Sequence, residues 1–272
     1  MPTATPISSQ PTITGLVLTR DGERLIGKCL ASLSFCDTIL VVDSGSTDAT
    51  IAIAENAGAV VLSNPWPGFA NQFSFAAEKV TTDWFFILDQ DECCSVELAK
   101  AIKDHIQKAT NADNDMASPL TAFSVARKSW YFDRFMKHGG WYPDHILRVF
   151  KTGLVTFSQD AHIHYHPKGE SEHIPTGEII HYPYTGFFHQ FAKLNVYAEQ
   201  GAEAMRASGK RGGILQGVGH AAARFFRIYI LKAGFLDGKA GFLAAAHGSF
   251  YAFSKYIRLL ESDWGRPFNH KE

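Results

Sequence analysis

Between residues 13 and 88, short β-rich runs alternate with helix-patterned stretches, and this alternation narrows the possible folds more than any other feature of the chain. Residues 13–18 are β-rich and stop at Thr19-Arg20-Asp21-Gly22. Leu25, Ile26, Cys29, Leu30 and Leu33 recur at helical spacing and predict a helix over 23–33. Residues 38–42 form a second apolar run that ends in Asp43-Ser44-Gly45-Ser46-Thr47-Asp48. Ser46 reads as the N-cap of the next helix, Asp48 suits its first turn and Gly58 its stop. A third strand is expected over 59–62, a helix over 69–80 and a fourth strand over 84–88. The fourth is apolar at every position, the pattern of a strand buried on both faces. The pattern predicts an α/β fold with a doubly wound, mostly parallel sheet. Ligands bind such sheets at the carboxyl ends of the strands, so the loops opening at Thr19, Asp43 and Asp89 are expected to share one rim.

Beyond residue 110 the pattern changes. Residues 111–119 read as a polar loop and 121–126 as a strand, followed by an aromatic and basic segment over 127–150. His162, His164 and His166 alternate as on one face of a strand. From Gly186 onward the chain reads as helical, with longer pieces near 215–233 and 240–261. The expected organisation is a flexible Ser/Thr/Pro-rich tail over 1–12, a catalytic and binding domain over 13–185 and a helical region over 186–272. A chain of 272 residues, 46% of them hydrophobic, is long enough to bury such a core. The net charge of −1 gives no global basic field, so nucleic acid is not an expected partner. The tail lacks the basic and apolar regions of a secretory signal. The uncharged part of 240–254 is short of the roughly 20 apolar residues that span a bilayer. No transmembrane helix is expected. Cys29, Cys36, Cys93 and Cys94 lack a two-plus-two zinc spacing and read as reduced thiols of a cytoplasmic protein.

The chemistry concentrates after the fourth strand, where Asp89-Gln90-Asp91-Glu92 follows the apolar run without a break. Three carboxylates at the mouth of a buried strand repel one another unless a cation joins them. Oxygen ligands suit Mg²⁺ or Mn²⁺, which commonly link a carboxylate to substrate phosphates. The plain alternative is a solvated acidic loop. Asp43 also ends a strand, where a carboxylate can accept from a nucleobase N–H. The Ser-Gly-Ser-Thr that follows offers backbone donors to a polar or anionic group, although Ser46 and Asp48 are equally explained as capping residues.

Three segments in order resemble the family 2 glycosyltransferases of GT-A fold. They are Ile13 to Glu23, the Ile39-Leu40-Val41-Val42-Asp43-Ser44-Gly45-Ser46-Thr47-Asp48-Ala49-Thr50 run, and Phe86-Ile87-Leu88-Asp89-Gln90-Asp91-Glu92. Gly139-Gly140-Trp141-Tyr142-Pro143-Asp144-His145-Ile146-Leu147-Arg148-Val149-Phe150 is similar to the branch that builds bacterial lipopolysaccharide core. So are His181-Tyr182, Lys193-Leu194-Asn195-Val196-Tyr197 and Gly234-Phe235-Leu236-Asp237-Gly238. The resemblance implies a nucleotide-sugar donor, UDP-hexose, and a glycolipid or oligosaccharide acceptor reached from the cytoplasmic face of the membrane. It implies that Thr19, Arg20, Asp43, Ser44, Gly45, Asp89 and Gln90 hold the donor, with Asp43 on the base. Asp91 and Asp89 would carry the metal, with His181 as a further ligand. Asp144 would be the general base of an inverting transfer, His138 and Trp141 would face the acceptor, and Arg148, four residues on, would orient Asp144 or meet a phosphate on the acceptor. The chain departs from the family at Asp21-Gly22, where Asn-Glu is usual. It departs again at Gln72 and Ser74, where a basic residue and Asn are usual, and at Ile163, where an acid is usual.

Two other functions fit parts of the pattern. Asp89-x-Asp91 is also the nucleophile pair of haloacid-dehalogenase-like phosphatases, but there it follows the first strand. A non-catalytic module binding a nucleotide-sugar or glycan is kept open by the departures at Asp21-Gly22 and Ser74 and opposed by the intact Asp43, Asp89, Asp91 and Asp144. Among the remaining histidines, His162, His164, His166 and His173 lack a strong zinc spacing. In the helical region Arg224, Arg227 and Lys232 lie among Phe225, Phe226, Tyr229 and Leu231, and Lys255 and Arg258 lie among Phe250, Phe253, Tyr256 and Leu259. This composition suits either a membrane-surface helix or a core helix with a basic edge.

Overall fold

The computed structural model describes residues 10–112, 119–159 and 163–263. The predicted loop over 111–119 falls largely outside these residues, as does His162. In chain order the elements are β1 (Ile13–Thr19), α1 (Ile26–Ser32), β2 (Thr38–Asp43), α2 (Thr50–Asn56), β3 (Val60–Ser63), α3 (Phe69–Ala77), β4 (Trp84–Asp89), β5 (Glu92–Cys94) and α4 (Val96–Ala112). There follow β6 (Leu120–Tyr131), β7 (Arg134–Phe135), β8 (Asp144–Lys151), β9 (Val155–Gln159), β10 (Ile163–Pro167), β11 (Glu170–His181), α5 (Phe187–Ala207), α6 (Ile214–Phe226) and α7 (Gly238–Ile257). A π-helical turn, Arg227–Leu231, and a 3-10 turn, Gly234–Asp237, link α6 to α7.

The chain forms two compact units, one of Met1–Arg127 with Asp144–His181, the other of Lys128–Pro143 with Tyr182–Glu272. The sequence boundary at 185/186 differs from this division. The excursion over 128–143 lies between two segments of the sheet unit yet belongs to the helical unit.

In the first unit the main sheet runs β3-β2-β1-β4-β8-β6-β11-β5. Strands β1 to β4 are parallel, and β8 pairs antiparallel with both β4 and β6, as β11 does with β5. The α/β sheet is therefore a parallel half continued by an antiparallel one. Alternation along β4 explains its unbroken apolarity. Trp84, Phe86 and Leu88 enter the core cluster containing Val17, Leu30 and Ile102, while Phe85 and Ile87 enter the opposite cluster with Leu16 and Phe73. Each such side chain contributes about 1.5–3 kcal/mol on burial, so both faces fix the register of β4 and the height of its last residue, Asp89. Helix α1 begins at Ile26 rather than residue 23, because the backbone of 20–25 is spent in turns. All four cysteines are free, and burial pushes the Cys36 thiol up to about 12.

The second unit is helical. Helix α7 buries Ala240, Gly241, Ala244, Ala245, Gly248 and Ala252, a face of small side chains that admits close neighbours. A Cβ on Gly241 would lie 1.8 Å from the carbonyl oxygen of Gly234, so only glycine fits there. A smaller core of Tyr131, Met136, Ala240 and Ala244 packs with Trp141, Tyr184 and Leu243. Among the described residues no helix is long and apolar enough to cross a membrane.

Candidate active site

The parallel strands deliver three loops to one rim. Register pairs Thr19 with Asp43 and Leu18 with Asp89, so β1, β2 and β4 end together. Polar side chains then stitch the loops. Asp43 is buried, and its Oδ2 accepts from the N–H groups of Gly45 at 2.8 Å and Ser46 at 2.9 Å, while the Ser46 hydroxyl donates to Oδ1. Ser46 is therefore not the helix cap the sequence suggests. It anchors Asp43, and the first turn of α2 is held by Asp48, which accepts from Thr50 N at 3.0 Å. Asp21 ties the first loop to the second by accepting from Thr47 N at 2.8 Å and from its hydroxyl at 3.2 Å. Ser44 donates its N–H to the Thr19 carbonyl, and its hydroxyl accepts from Gln72 at 3.1 Å.

Gln90 explains one family departure. Its Oε1 accepts from the Thr19 hydroxyl and from Arg20 N at 3.0 Å, and its Nε2 donates to the Arg20 carbonyl at 3.1 Å. A Cβ on Gly22 would lie 2.4 Å from that same Oε1. Glycine at 22 thus makes room for Gln90, and the pair locks the β1 loop to the β4 loop. Gln72 is likewise structural: it is fully buried and holds Ser44 and Asn64. Ser74 donates back to Ala70 within α3. Neither side chain supplies positive charge, and the Arg20 side chain is the largely exposed cation of the first loop.

Behind the carboxylates lies a chain of ion pairs. Arg148 donates to Asp89 Oδ2 at 2.8 Å and to Glu92 Oε1 at 3.0 Å. Arg127 donates to the same Glu92 oxygen at 3.1 Å and grips Asp144 Oδ2 through Nε at 3.0 Å and Nη2 at 2.7 Å. Glu92 Oε2 accepts from Asp89 N at 3.0 Å. Burial pushes Glu92 up to about 7, against the pull of the two guanidiniums. Desolvation also opposes the charged form of Asp89, but Arg148 outweighs it and holds Asp89 below the usual carboxylate range. These charges raise the affinity of Arg148 and Arg127 for their protons in spite of burial.

This network corrects one assignment. Arg148, placed by the sequence on the acceptor side, is only 4% exposed and is consumed by Asp89 and Glu92. Arg127, which the sequence reading passed over within a basic segment, is the residue that orients Asp144. The Arg127↔Asp144 pairing of β6 with β8 brings them together. Asp144 Oδ1 lies outside that grip, and its side chain is 38% exposed.

Strand β11 pairs with β5 in the register His181↔Glu92, which sets His181 beside the acidic loop. His181 Nε2 lies 3.7 Å from Asp91 Oδ1. Two donors at that separation are within reach of one cation with bonds of about 2.0–2.2 Å. Asp89 gives its Oδ2 to Arg148, while its side chain remains 41% exposed. Among the described residues no group of three or more His, Cys, Asp or Glu side chains forms a metal cage. The donor set fits an ion that takes the remainder of its shell from phosphate and water.

His138 and Trp141 belong to the helical unit. His138 donates its N–H to Asp237 Oδ2 at 2.7 Å, and its ring Nδ1 lies 3.1 Å from Oδ1. The Trp141 ring packs on Tyr131 with centroids 5.1 Å apart. The Gly234–Asp237 turn thereby anchors the 137–138 backbone through a buried Asp237.

Residues 16–163 match the model of glycosyl transferase family 2. The chain is 28% identical over 261 residues to the lipopolysaccharide core biosynthesis glycosyltransferase LpsC of Rhizobium meliloti, covering 92% of each. It is 26% identical over 262 residues to an uncharacterised glycosyltransferase of Rickettsia felis, covering 92% of this chain and 88% of that one. Among solved structures, S. aureus TarS 1-349 superposes with a TM-score of 0.44 at 13% identity, over 93% of this chain and 91% of the other. Glucosyl-3-phosphoglycerate synthase from Mycobacterium tuberculosis, in complex with Mn²⁺, UDP and glucosyl-3-phosphoglycerate, superposes with a TM-score of 0.33 at 21% identity, over 45% and 44%.

Proposed function

The chain belongs to glycosyl transferase family 2, and from that premise we propose that it moves a hexose from UDP, with inversion and with a divalent cation, onto a glycolipid or polysaccharide acceptor such as lipopolysaccharide core. Membership makes it a glycosyltransferase, in place of the phosphatase and non-catalytic alternatives. The similarity to LpsC supports the acceptor class, and that class puts the enzyme at the cytoplasmic surface of the cell membrane. The observation that carries the reading is the Asp91–His181 pair, 3.7 Å apart beside Gln90, which is stitched to the first nucleotide loop.

Asp43 is assigned to the base; buried and held at both oxygens by its own loop, it meets a base N–H by giving up one of those bonds. Thr19, Arg20, Ser44 and Gly45 border the nucleotide, and Arg20 faces its negative charge. Asp91 and His181 hold Mg²⁺ or Mn²⁺. When bound, that ion supplies positive charge to the departing diphosphate. Asp144 Oδ1 takes the proton of the attacking acceptor hydroxyl. The hydroxyl oxygen forms the new bond to the anomeric carbon as the bond to the β-phosphate oxygen breaks, and the electron pair leaves with UDP. Arg127 fixes the direction of Asp144, and Arg148 keeps Asp89 ionised at the end of β4.

The test is transfer from UDP-hexoses to a lipopolysaccharide core oligosaccharide, with product configuration read by NMR. Inverted product, abolished by chelation of divalent ions, is expected. Retained configuration would contradict a single displacement with Asp144 as base.

A further inference from the structure

Helix α6 buries one face and leaves a second apolar face uncovered. The buried face packs on α7. Gly217 is buried, and a Cβ there would meet Phe253 at 3.1 Å. Ser249 donates to the Ala221 carbonyl at 2.8 Å, and the Phe225 and Phe242 rings lie 5.8 Å apart. Leu215, Val218, Ala222 and Phe226 follow at intervals of three, four and four residues, so they share another side of the helix. All four are exposed, Leu215 at 87% and Phe226 at 54%. The exposed apolar surface continues past the helix through Ile230, Leu231 at 69%, Phe235 and Leu236. A run of this kind on a water-facing helix is costly unless another surface covers it.

The charges say which surface. Between residues 207 and 236 the charged residues are Lys210, Arg211, Arg224, Arg227 and Lys232, with no Asp or Glu, in a chain whose net charge is −1. Lys210, Arg211, Arg227 and Lys232 are exposed near the two ends of the stripe. A second copy of this chain would bring the same basic charges against themselves. An anionic lipid surface offers the complementary sign and an apolar layer beneath it. The 13 residues of α6 span about 20 Å, too short to cross the roughly 30 Å hydrocarbon core, but suited to lying in its interface.

We propose that α6 and the turns after it form an in-plane membrane anchor, with Leu215, Val218, Phe226 and Leu231 entering the acyl boundary and the flanking Lys and Arg residues meeting anionic headgroups. The proposal rests on the glycolipid-acceptor reading for its purpose, though not for its surface. It is tested with the full-length chain and vesicles holding neither donor nor acceptor, so that it fails or stands apart from the transferase chemistry. Co-sedimentation is measured with phosphatidylcholine vesicles alone and with 30% phosphatidylglycerol (~0.3 mole fraction). Wild type is expected to bind the anionic vesicles at least about tenfold more tightly than the neutral ones, and less tightly at high salt. Leu215→Glu with Phe226→Glu should lose at least about tenfold in vesicle binding with its thermal unfolding and UDP binding unchanged. Lys210→Ser with Arg211→Ser and Arg227→Ser should lose the anionic preference alone. Equal binding by wild type and the Glu variant would overturn the proposal. So would sedimentation equilibrium showing a dimer that the Glu variant disperses.

Discussion

The two units of this chain handle apolar surface and charge in opposite ways. In the first, large apolar side chains are buried on both faces of the sheet and a chain of ion pairs, Asp89–Arg148–Glu92–Arg127–Asp144, is centred on the buried Arg148 and Glu92. In the second, Phe188, Leu215, Phe226 and Leu231 face outward, and the exposed charge around α6 is basic. The contrast teaches that the first unit is specified by its own interior, whereas the second is shaped for a surface the chain itself does not supply. Substitutions should therefore be costly in the first unit and nearly free on the outer face of α6.

The largest effect is expected at Arg148. Arg148→Met leaves Asp89 and Glu92 without their shared buried cation, which should cost about 3–5 kcal/mol of stability in urea unfolding; a cost under about 1 kcal/mol would mean the network is dispensable and the contrast overstated. Asp144→Asn comes next. It should lower turnover by roughly 10²- to 10⁴-fold with UDP affinity and unfolding unchanged, and transfer at the wild-type rate would remove Asp144 as the base. Gly22→Ala should displace Gln90 and cost about 1–3 kcal/mol, with the loss largely recovered in a Gly22→Ala, Gln90→Ala double variant. No recovery would show that the loop linkage does not run through Gln90. The smallest effect belongs to the second unit, where Leu215→Ser should change stability by no more than about 0.5 kcal/mol. A larger loss would show that this side chain is packed and would erase the difference between the units.

Much of the first unit was legible because each local signal agrees with the fold. The apolar run before Asp89 can be buried only as a central strand, and the Val-Val-Asp and Leu-Asp-Gln-Asp endings fall together because parallel register carries them there. What the sequence hid was produced by long-range pairing. Arg127 meets Asp144 through the β6–β8 register, whereas β11–β5 brings His181 beside Asp91, a pair the sequence had already named. No local spacing encodes these contacts. Arg148 was misplaced for the same reason: four residues from Asp144, it looks like its partner, but β8 sends the two side chains to different neighbours. Ser46 shows the limit of capping rules, since a carboxylate at 43 competes for its hydroxyl. In the second unit the helices were legible from periodicity, but the membership of residues 128–143 was not, because that segment sits inside the sheet-forming half of the sequence.

The central claim is that Asp91, beside His181, couples a divalent ion to a nucleotide diphosphate. It is tested most directly by calorimetric titration of UDP into the wild-type chain and Asp91→Ala, each with and without Mn²⁺, with GDP and ADP as controls. The account predicts UDP binding that requires Mn²⁺ in the wild type and is lost in the variant. Equal binding by both chains, or binding indifferent to the ion, would contradict it.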